Sequence, residues 1–434
     1  MGIVLKFGGT SVGSAANMRR VASIIKDERA TVTVLSAMSG TTDALVKTVV
    51  AASEGDAATV KEQLEMLRRK YSTCIAELLT VNAPQALERM EASFGVIERQ
   101  AAAFECYTSE RTIISQGELL TSAIFTLHLL ENGVKAVLLN APDFMRTDDR
   151  GKVDTAFLRE KLETLTSDGD TYYITQGFIC ANHRGEVDNL GRGGSDYSAA
   201  LIGAAIGGSE VQIWTDIDGM HNNDPRFVTN TYPIRRMSFD EAAELAYFGA
   251  KILHPATIQP CKELGIPVLL RNTMEPSAPG TTISDDDDSG RDFHAVAAKD
   301  GITVIRIHST RMLMAYGFLR QVFEVFERHR TPIDMITTSE VAVSLTVDND
   351  SCLEEIVAEL RTLGSIEVER DNSIVCVVGN IGYDKLGLAA HIFDSIAGVP
   401  VKMISYGASH RSIVVLIDTR FKRQTLQSLN DHLF

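Results

Sequence analysis

The stretch "IVLKFGGTS" (3–11) joins a short apolar strand pattern to a lysine, two glycines and two hydroxyl side chains. A glycine-rich turn after a strand lets backbone N–H groups approach an anion closely. Lys6 adds a compact positive charge of the kind that suits phosphate. The spacing matches neither the Walker loop nor GxGxxG. By itself the stretch predicts a strand followed by either a phosphate-binding turn or an ordinary one.

Short strand patterns alternate with longer helical patterns over the first 290 or so residues. The helical stretch at 54–110 has apolar residues at three- and four-residue spacing along most of its length. This alternation indicates parallel βαβ units in an α/β sheet. The apolar, β-rich runs lie at 31–37, 136–141, 171–179, 211–217 and 266–272.

The order and length of the predicted elements change after the polar boundary at 275–292, which is rich in Pro, Gly, Ser and Asp. Shorter elements spell βαββαβ over 300–371, and a second round over 372–434 lacks one strand. The run at 294–299 would supply that strand. Counting strands therefore predicts that the first βαββαβ unit is inserted into the second.

The overall composition narrows the function. The chain has 434 residues and a net charge of -15, which argues against a nucleic-acid surface. Hydrophobic residues make up 44% and charged residues 23%, as in soluble globular proteins. No apolar run approaches the roughly 18 residues that a membrane helix needs, and the N-terminus lacks a signal-peptide pattern. We expect a cytoplasmic protein with neither nucleic acid nor membrane as a partner.

Metal-ligand patterns are also missing from the sequence. The six cysteines form no CxxC pair and no zinc-ligand spacing, which predicts reduced, mostly buried thiols. The four aspartates at 285–288 are typical of a solvated loop. We therefore predict no metal site built by the protein alone.

A second glycine-rich stretch, "DNLGRGGSDYSAALIGAAIGG" (188–208), precedes an Ala-rich helical pattern. Ser195 is a candidate helix cap, and a helix N-terminus favours an anion. Arg192 can direct two N–H groups onto a carboxylate. Asp196 is unusual in a loop that binds only anions, so we expect it to orient a cation or a reacting group. A structural capping loop is the alternative.

Three further stretches are weaker candidates. In "WTDIDGMHNNDPRFV" (214–228) a strand ends in Thr215 and Asp216, where open α/β sheets bind ligands, and Arg226 follows. Glu118 in 111–122 is predicted at a glycine turn into a helix, and Lys251 follows Gly249. The alternative interpretation of each stretch is a turn or a surface segment without a binding role. No local pattern makes His221 or His254 a general base.

Taken together, these stretches resemble the aspartokinase family. The matches include "KFGGTS", "VLSAMSGTTD", "GELL", "GFIC", "NLGRGGSDYSA", "WTDIDGMHNNDPR", "FGAKILHPAT" and "RNTMEPSAPGTTI", in order from residue 6 to 283. The remainder resembles the paired ACT modules of the same enzymes. The resemblance implies an amino-acid-kinase fold at 1–290, a three-layer αβα arrangement with a largely parallel sheet, followed by two ferredoxin-like ACT units with the boundaries given above.

The resemblance also implies a reaction, the transfer of the ATP γ-phosphoryl group to the β-carboxylate of L-aspartate. Lys6 and Asp196 would be catalytic. Mg²⁺ would bridge the phosphates. Aspartate would contact Ser36, Thr42, Glu118, Phe178, Arg192 and Ser195. ATP would contact Lys6, Phe7, Gly8, Gly9, Thr215, Asp216, His221, Arg226, Lys251 and Ile252. Many relatives carry a tyrosine where this chain has His221.

The stretch at 311–348 resembles the effector-binding ACT unit of lysine-sensitive aspartokinases. This implies L-lysine as an effector, bound where ACT units of two chains meet in a homodimer or tetramer. Pro332 replaces a small polar residue that the pattern expects. The matching residues are Met312, Gly317, Phe318, Leu319, Asp334, Thr338, Ser339 and Glu340.

Two other functions remain open at this point. One is a kinase of the same fold that acts on glutamate, acetylglutamate or a nucleotide. The other is an amino-acid sensor without catalysis, in which the ACT pair alone binds a ligand. The alternative role for the effector-binding ACT unit is dimerisation only.

Overall fold

The computed structural model describes residues 2–191, 193–249, 253–285, 290–312, 316–382 and 385–434. These residues form two compact units. The first unit comprises Met1–Met220, Arg235–Phe239 and Leu253–Asp287. The second unit comprises His221–Ile234, Asp240–Ile252 and Asp288–Phe434.

The first unit is built on an eight-stranded, largely parallel sheet, which confirms the predicted fold class. Its order is β3-β4-β2-β1-β7-β9-β10-β8, and β10 runs antiparallel to β9. β5 and β6 form a separate antiparallel hairpin. The strands are β1 (Ile3–Phe7), β2 (Val32–Leu35), β3 (Ala136–Leu139), β4 (Tyr172–Gln176), β5 (Ile179–Ala181), β6 (Val187–Asn189), β7 (Glu210–Thr215), β8 (Arg236–Ser238), β9 (Val268–Asn272) and β10 (Thr281–Ser284).

Helices connect these strands, as the sequence pattern predicts. The predicted helical stretch at 54–110 divides among three helices, α3, α4 and the start of α5. The helices are α1 (Ala15–Asp27), α2 (Thr41–Ser53), α3 (Ala57–Leu78), α4 (Ala83–Ala102), α5 (Cys106–Glu131), α6 (Ala141–Phe144), α7 (Thr155–Leu165), α8 (Gly194–Ala205), α9 (Phe239–Tyr247) and α10 (Gln259–Glu263).

Helix α5 is long and apolar on average, although it contains no uninterrupted apolar run of membrane-spanning length. Among the described residues it is the single helix whose length and composition suit a membrane span. Small uncharged residues such as Ser115 and Ser122 interrupt its apolar runs without lowering its hydropathy much. However, 89% of its most apolar window is buried inside the protein, where it packs in the main core with α3 and α4. Helix α5 is therefore a helix of the protein core.

The second unit contains a six-stranded antiparallel sheet with the order β12-β13-β11-β14-β16-β15. The first half of the long strand β11 pairs with the end of β14, and its second half pairs with the start of β14 and with β13. The elements are β11 (Phe293–His308), α11 (Phe318–Arg328), β12 (Ile336–Thr338), β13 (Ala342–Val347), α12 (Leu353–Leu360), β14 (Ser365–Gly379), α13 (Leu388–Ser395), β15 (Val401–Tyr406), β16 (Ser412–Asp418) and α14 (Lys422–Leu433).

Two hydrophobic clusters lie in this unit. One includes Ile305, Val322 and Leu345, and the other includes Val375, Ile413 and Leu426. Each cluster combines strands with two helices, α11 and α12 in the first and α13 and α14 in the second. The boundaries of the predicted ACT units remain predictions.

Candidate active site

The charged residue of β1, Lys6, is brought to Asp196 in the first turn of α8. Lys6 Nζ lies 2.7 Å from Asp196 Oδ1, and the two side chains are only 10% and 13% exposed. β1 lies between β2 and β7, with Lys6 opposite Val34 and Ile213 in register. Because parallel strands end at the same edge of a sheet, the loops after β1, β2 and β7 meet there.

A cavity of about 570 Å³ opens around this ion pair, a volume in the range of small-molecule sites. The predicted site residues that line it are Lys6, Gly9, Ser36, Thr42, Glu118, Phe178, Ser195, Asp196 and Asp216. Sequence reasoning missed Thr10, Ala37, Met38, Ser39, Gly40 and Asp43, which also line it. All but Thr10 lie in "VLSAMSGTTD" (34–43), so that motif was the available signal.

The glycine turn after β1 is held by backbone contacts. The Gly8 N–H donates to the Trp214 carbonyl at 3.1 Å, so in this structure it is already committed to that partner. A Cβ on Gly9 would lie 2.7 Å from the Ala37 carbonyl oxygen, so a glycine is needed for this close approach. The Phe7 side chain is fully buried and stacks on Trp214, with ring centroids 5.8 Å apart. The predicted ATP contact of Phe7 therefore does not involve its ring in this structure.

Helix α8 begins with a glycine cap, which corrects the prediction for Ser195. Gly193 is the N-cap, with φ 70°, and Ser195 lies inside the first turn. A Cβ on Gly193 would lie 2.7 Å from Thr257 Cγ2, and one on Gly177 would lie 2.6 Å from Ser195 Cβ. The start of α8 is thus packed tightly between two loops, and only a residue without a side chain fits the cap. Arg192 lies outside the described residues.

Glu118 lies in the middle of α5, so its predicted position at a glycine turn is wrong. Gly117 is a packing glycine, since a Cβ there would lie 2.9 Å from Ala37 Cβ and 3.1 Å from Thr41 Cγ2. The Glu118 side chain lines the cavity, and its buried Oε2 has no hydrogen-bond partner. Burial raises the pKa of Glu118 to about 7, against a smaller opposing effect of the Ala37 N–H.

The predicted nucleotide contacts fall in both units. Thr215 ends β7, and its hydroxyl accepts the Ile217 N–H at 3.2 Å. Arg226 belongs to the second unit, and its guanidinium is held by both carboxylate oxygens of Asp224 at 2.6–3.1 Å. His221 is also in the second unit, and its Nδ1 lies 3.3 Å from the Thr231 hydroxyl. Lys251 and Ile252 lie outside the described residues.

Charge in the cavity is mixed. The lining residues that the structure describes include the cation Lys6 and the carboxylates of Asp43, Glu118, Asp196 and Asp216. Asp196 neutralises Lys6 at short range, while Glu118 has no cationic partner at its buried oxygen. The arrangement thus offers one paired cation for an anionic group and one unpaired carboxyl group for an amine.

Comparison with known proteins identifies the family. The amino acid kinase family matches residues 1–272, and the ACT domain matches residues 375–433. Over 447 aligned positions the chain is 35% identical to the lysine-sensitive aspartokinase 3 of Escherichia coli strain K12, covering 100% of this chain and 99% of the relative. The chain belongs to the aspartokinases. It is therefore an aspartate kinase with a C-terminal ACT regulatory region.

Two solved structures of E. coli aspartokinase III resemble this aspartokinase over its full length. The first, in complex with aspartate and ADP and described as the R-state, has a TM-score of 0.86 at 35% identity and 100% coverage of both chains. The second, in complex with lysine and aspartate and described as the T-state, has a TM-score of 0.84 at 35% identity and covers 100% of this chain and 99% of that one.

The predicted effector residues of the aspartokinase all lie in the second unit. Gly317 caps α11 in a left-handed conformation, with φ 81°, and the adjacent Phe318 is buried while Leu319 is 37% exposed. Thr338 ends β12, Ser339 and Glu340 follow it as exposed residues, and Met312 closes a short 3-10 turn.

Asp334 is the most constrained member of this group. Its side chain is 2% exposed, and Oδ1 lies 2.9 Å from Lys299 Nζ and accepts the Tyr247 hydroxyl at 2.8 Å. Lys299 also contacts Asp348 at 2.8 Å. Oδ2 of Asp334 is buried without a hydrogen-bond partner. One oxygen is thus occupied and the other is available to a further donor.

Proposed function

We propose that this aspartokinase transfers the γ-phosphoryl group of ATP to the β-carboxylate of L-aspartate, giving 4-phospho-L-aspartate and ADP. This is the first step in the biosynthesis of the aspartate-derived amino acids. The observation that carries the proposal is the buried Lys6–Asp196 ion pair, 2.7 Å long, in the cavity at the strand ends. The related structure with aspartate and ADP supports it.

The reaction brings two anions together, so catalysis depends on positioning and charge neutralisation. A carboxylate oxygen of aspartate attacks the γ-phosphorus, and the bond from phosphorus to the bridging oxygen of ADP breaks. ADP leaves with the electron pair, and no proton has to be removed from the ionised carboxylate. Lys6 stabilises the negative charge as it shifts between the phosphates, and Asp196 holds the Lys6 ammonium in position.

Recognition of aspartate is assigned to residues that line the cavity, including Glu118 of α5. Glu118 takes the substrate ammonium on its unpartnered oxygen. Arg192 is assigned to a carboxylate of aspartate. Ser36, Thr42, Phe178 and Ser195 complete the pocket. An N-acylated substrate lacks the ammonium, and this argues for a free amino acid.

The nucleotide is assigned to the other predicted contacts. These are Phe7, Gly8, Gly9, Thr215, Asp216, His221, Arg226, Lys251 and Ile252. For Arg226, a phosphate would have to compete with the Asp224 carboxylate that now holds it.

Mg²⁺ fits this site as part of the nucleotide substrate. The described residues contain no group of three or more His, Cys, Asp or Glu that could hold a metal ion. Mg²⁺ is usually held by substrate phosphates with one or two carboxylates. Asp216, which lines the cavity, is such a carboxylate. The bound ion would offset charge on the phosphates.

The reaction is tested by mixing the chain with ATP, Mg²⁺, an acceptor and hydroxylamine, which traps an acyl phosphate as its hydroxamate. We expect aspartyl hydroxamate from aspartate and little hydroxamate from glutamate or N-acetylglutamate. A nucleotide acceptor forms no acyl phosphate, so it is scored by release of ADP, which should stay at the background level. Hydroxamate formation only from another acceptor would assign the fold to a different kinase reaction. Lysine binding without any ATP turnover would support the sensor function.

We also propose that L-lysine inhibits the enzyme by binding to the ACT unit at 300–371, at an interface between two chains of a dimer or tetramer. The effector residues are those named above, and the unpartnered Asp334 oxygen suits an ammonium group. The lysine complex of the related enzyme supports this.

The effector assignment is tested with Asp334→Asn. It should raise the lysine concentration for half-inhibition by roughly tenfold or more, because a charge-assisted hydrogen bond is lost. Asp348→Asn is the matched control, since Asp348 also contacts Lys299 but is not assigned to the effector. Equal effects of both substitutions would remove Asp334 from the lysine site.

The domain boundaries and the compartment are part of the same proposal. The kinase domain would span 1–290, and the second ACT unit would combine 294–299 with 372–434. The pairing of the two halves of β11 with opposite ends of β14 supports this insertion. We propose that the enzyme acts in the cytoplasm.

A further inference from the structure

We propose that Tyr71, a residue of α3 outside the cavity lining, positions the wall of the aspartate pocket. The wall is defined as residues 36–43, which run from the end of β2 into α2 and contribute Ser36 and Thr42 to the cavity. This inference rests on the proposed assignment of that wall to aspartate. It gives α3 a part in substrate binding that the sequence did not indicate.

Tyr71 is buried behind the wall, with 1% of its surface exposed. Its hydroxyl lies 3.2 Å from the Thr41 hydroxyl and 3.2 Å from the Thr121 hydroxyl. It also donates toward the Gly117 carbonyl at 3.5 Å. Burial raises the pKa of Tyr71 to about 12, so the hydroxyl keeps its proton at neutral pH. A single side chain thus connects the wall to α5.

Thr121 extends the connection to the centre of the wall. Its hydroxyl accepts the Met38 N–H at 3.1 Å and donates to the Gly117 carbonyl at 2.8 Å. Gly117 allows the wall to lie directly on α5, because its missing Cβ would lie within 3.1 Å of Ala37 and Thr41 atoms. Both ends of the 38–41 segment are therefore fixed relative to the residue that precedes Glu118.

The neighbouring residue of α3 contacts the same segment. Lys70 donates a hydrogen bond from Nζ to the Ser39 carbonyl. Two consecutive residues of one helix thus hold consecutive parts of the wall, although neither lines the cavity. The ring of Tyr71 fills core space, which phenylalanine would also do, but only the tyrosine hydroxyl can hydrogen-bond to the hydroxyls of Thr41 and Thr121.

The consequence for the reaction is a fixed distance between two sets of substrate contacts. Ser36 and Thr42 lie on the wall, and Glu118 lies on α5. Small displacements of positioning groups have large effects on binding and rate. Without the Tyr71 hydroxyl, the wall can move relative to α5 while the ring still fills the core. The expected defect is therefore in aspartate recognition rather than in folding.

The test is Tyr71→Phe, assayed by steady-state kinetics with aspartate and ATP varied separately. We expect KM for aspartate to rise roughly five- to tenfold, the effect of losing one or two hydrogen bonds. KM for ATP and kcat should change less than about threefold. Tyr173→Phe is the matched control, since Tyr173 is also buried and its hydroxyl makes two bonds to the Asp168 backbone.

A Tyr71→Phe enzyme that loses thermal stability as Tyr173→Phe does, but keeps its KM for aspartate, would reduce Tyr71 to a structural residue and overturn the proposal. A rise in KM for ATP alone would also overturn it, because the wall would then face the nucleotide. Formation of aspartyl hydroxamate by the wild-type enzyme tests the proposed function separately.

A second pair of variants tests the same hydrogen bonds in case Tyr71→Phe folds poorly. Thr121→Val removes the hydroxyl shared by Tyr71 and Met38, and it should raise KM for aspartate by a similar factor. Thr121→Ser keeps the hydroxyl and should restore KM to within about twofold of wild type. Failure of Thr121→Ser to differ from Thr121→Val would contradict the hydroxyl network.

Discussion

Glu118 is a buried carboxyl group that the protein does not fully compensate, so its replacement should both stabilise the chain and strongly weaken aspartate binding. Its side chain is in the cavity, Oε2 has no hydrogen-bond partner, and burial raises its pKa from the usual 4.5 to about 7. At about 1.4 kcal/mol for each pH unit, this difference amounts to about 3 kcal/mol. Water and counterions that gather at the ionised carboxylate reduce its free-energy cost below this value.

The sign of the effect follows from proton linkage. The folded state binds the Glu118 proton more tightly than the unfolded state, so this contribution to stability is complete below about pH 4.5. It is lost as the pH rises through about 7, where the carboxylate becomes charged in its buried position. Glu118→Gln keeps the shape and removes the charge. The variant should therefore gain stability over wild type as the pH increases from 5 to 8.5.

The assay is the melting temperature of the substrate-free enzyme at pH 5.5, 7.0 and 8.5. With a full gain of about 3 kcal/mol, the melting temperature of Glu118→Gln at pH 8.5 should exceed that of wild type by roughly 6–12 °C. At pH 5.5, about one unit above the unfolded pKa of 4.5, the difference should be roughly 40% of its value at pH 8.5. In the same variant KM for aspartate should rise at least about 100-fold, since the ammonium loses its charged partner.

Glu131→Gln is a control on the same helix with the opposite sign. N–H groups of Asn82 and Thr80 lower the pKa of Glu131, which is partly exposed. That stabilisation is present above the unfolded pKa of about 4.5 and is lost as the pH falls through the lower folded value. Glu131→Gln should thus lose stability at neutral pH. A Glu118→Gln enzyme that is less stable than wild type at pH 8.5, or a difference independent of pH, would refute the reasoning.

Three further predictions concern the same cavity. KM for aspartate should rise as the pH falls below about 7, because protonated Glu118 cannot pair with the ammonium, and a flat KM between pH 6 and 8 would exclude that contact. Lys6→Met and Asp196→Asn should each lower kcat by roughly 10²–10³ with unchanged circular dichroism, and near-normal kcat would remove the residue from the mechanism. Gly117→Ala should cost about 1–3 kcal/mol and raise KM for aspartate, since the new Cβ would lie 2.9 Å from Ala37 Cβ, and unchanged thermal melting would contradict this contact.

The sheet was predictable from the sequence because its strands are buried on both faces. Runs such as 31–37 and 211–217 are rich in apolar and β-branched residues, and 32–35 and 211–214 are buried throughout, so their strand character does not depend on periodicity. Their order in the sheet is a different matter. β1 lies between β2 and β7, and residues as far apart in the chain as Ile3 and Glu210 are paired in register, which no local pattern encodes.

The site was predicted less completely, for reasons that involve packing. Glycine occurs both in turns and where two backbones pack closely, and the residues around Gly117 do not show which of the two applies there. The pattern predicts a turn, yet Gly117 lies in α5, where a side chain would collide with the wall residue Ala37. Ser195 was a plausible cap by residue type, but Gly193 takes that position because Thr257 leaves no room for a side chain.

The two buried charges of the cavity have different consequences for function. Lys6 is compensated by Asp196 within the folded chain, so its position is set before any ligand arrives. Glu118 lacks such a partner on Oε2, and its charged form costs free energy until a cation enters. A compensated charge orients a reacting group, whereas an uncompensated one selects its ligand, because a substrate that cannot donate to it leaves a buried polar atom unpaired. If Glu118 binds the substrate ammonium as proposed, discrimination for a free amino group follows from the oxygen that the fold leaves without a partner.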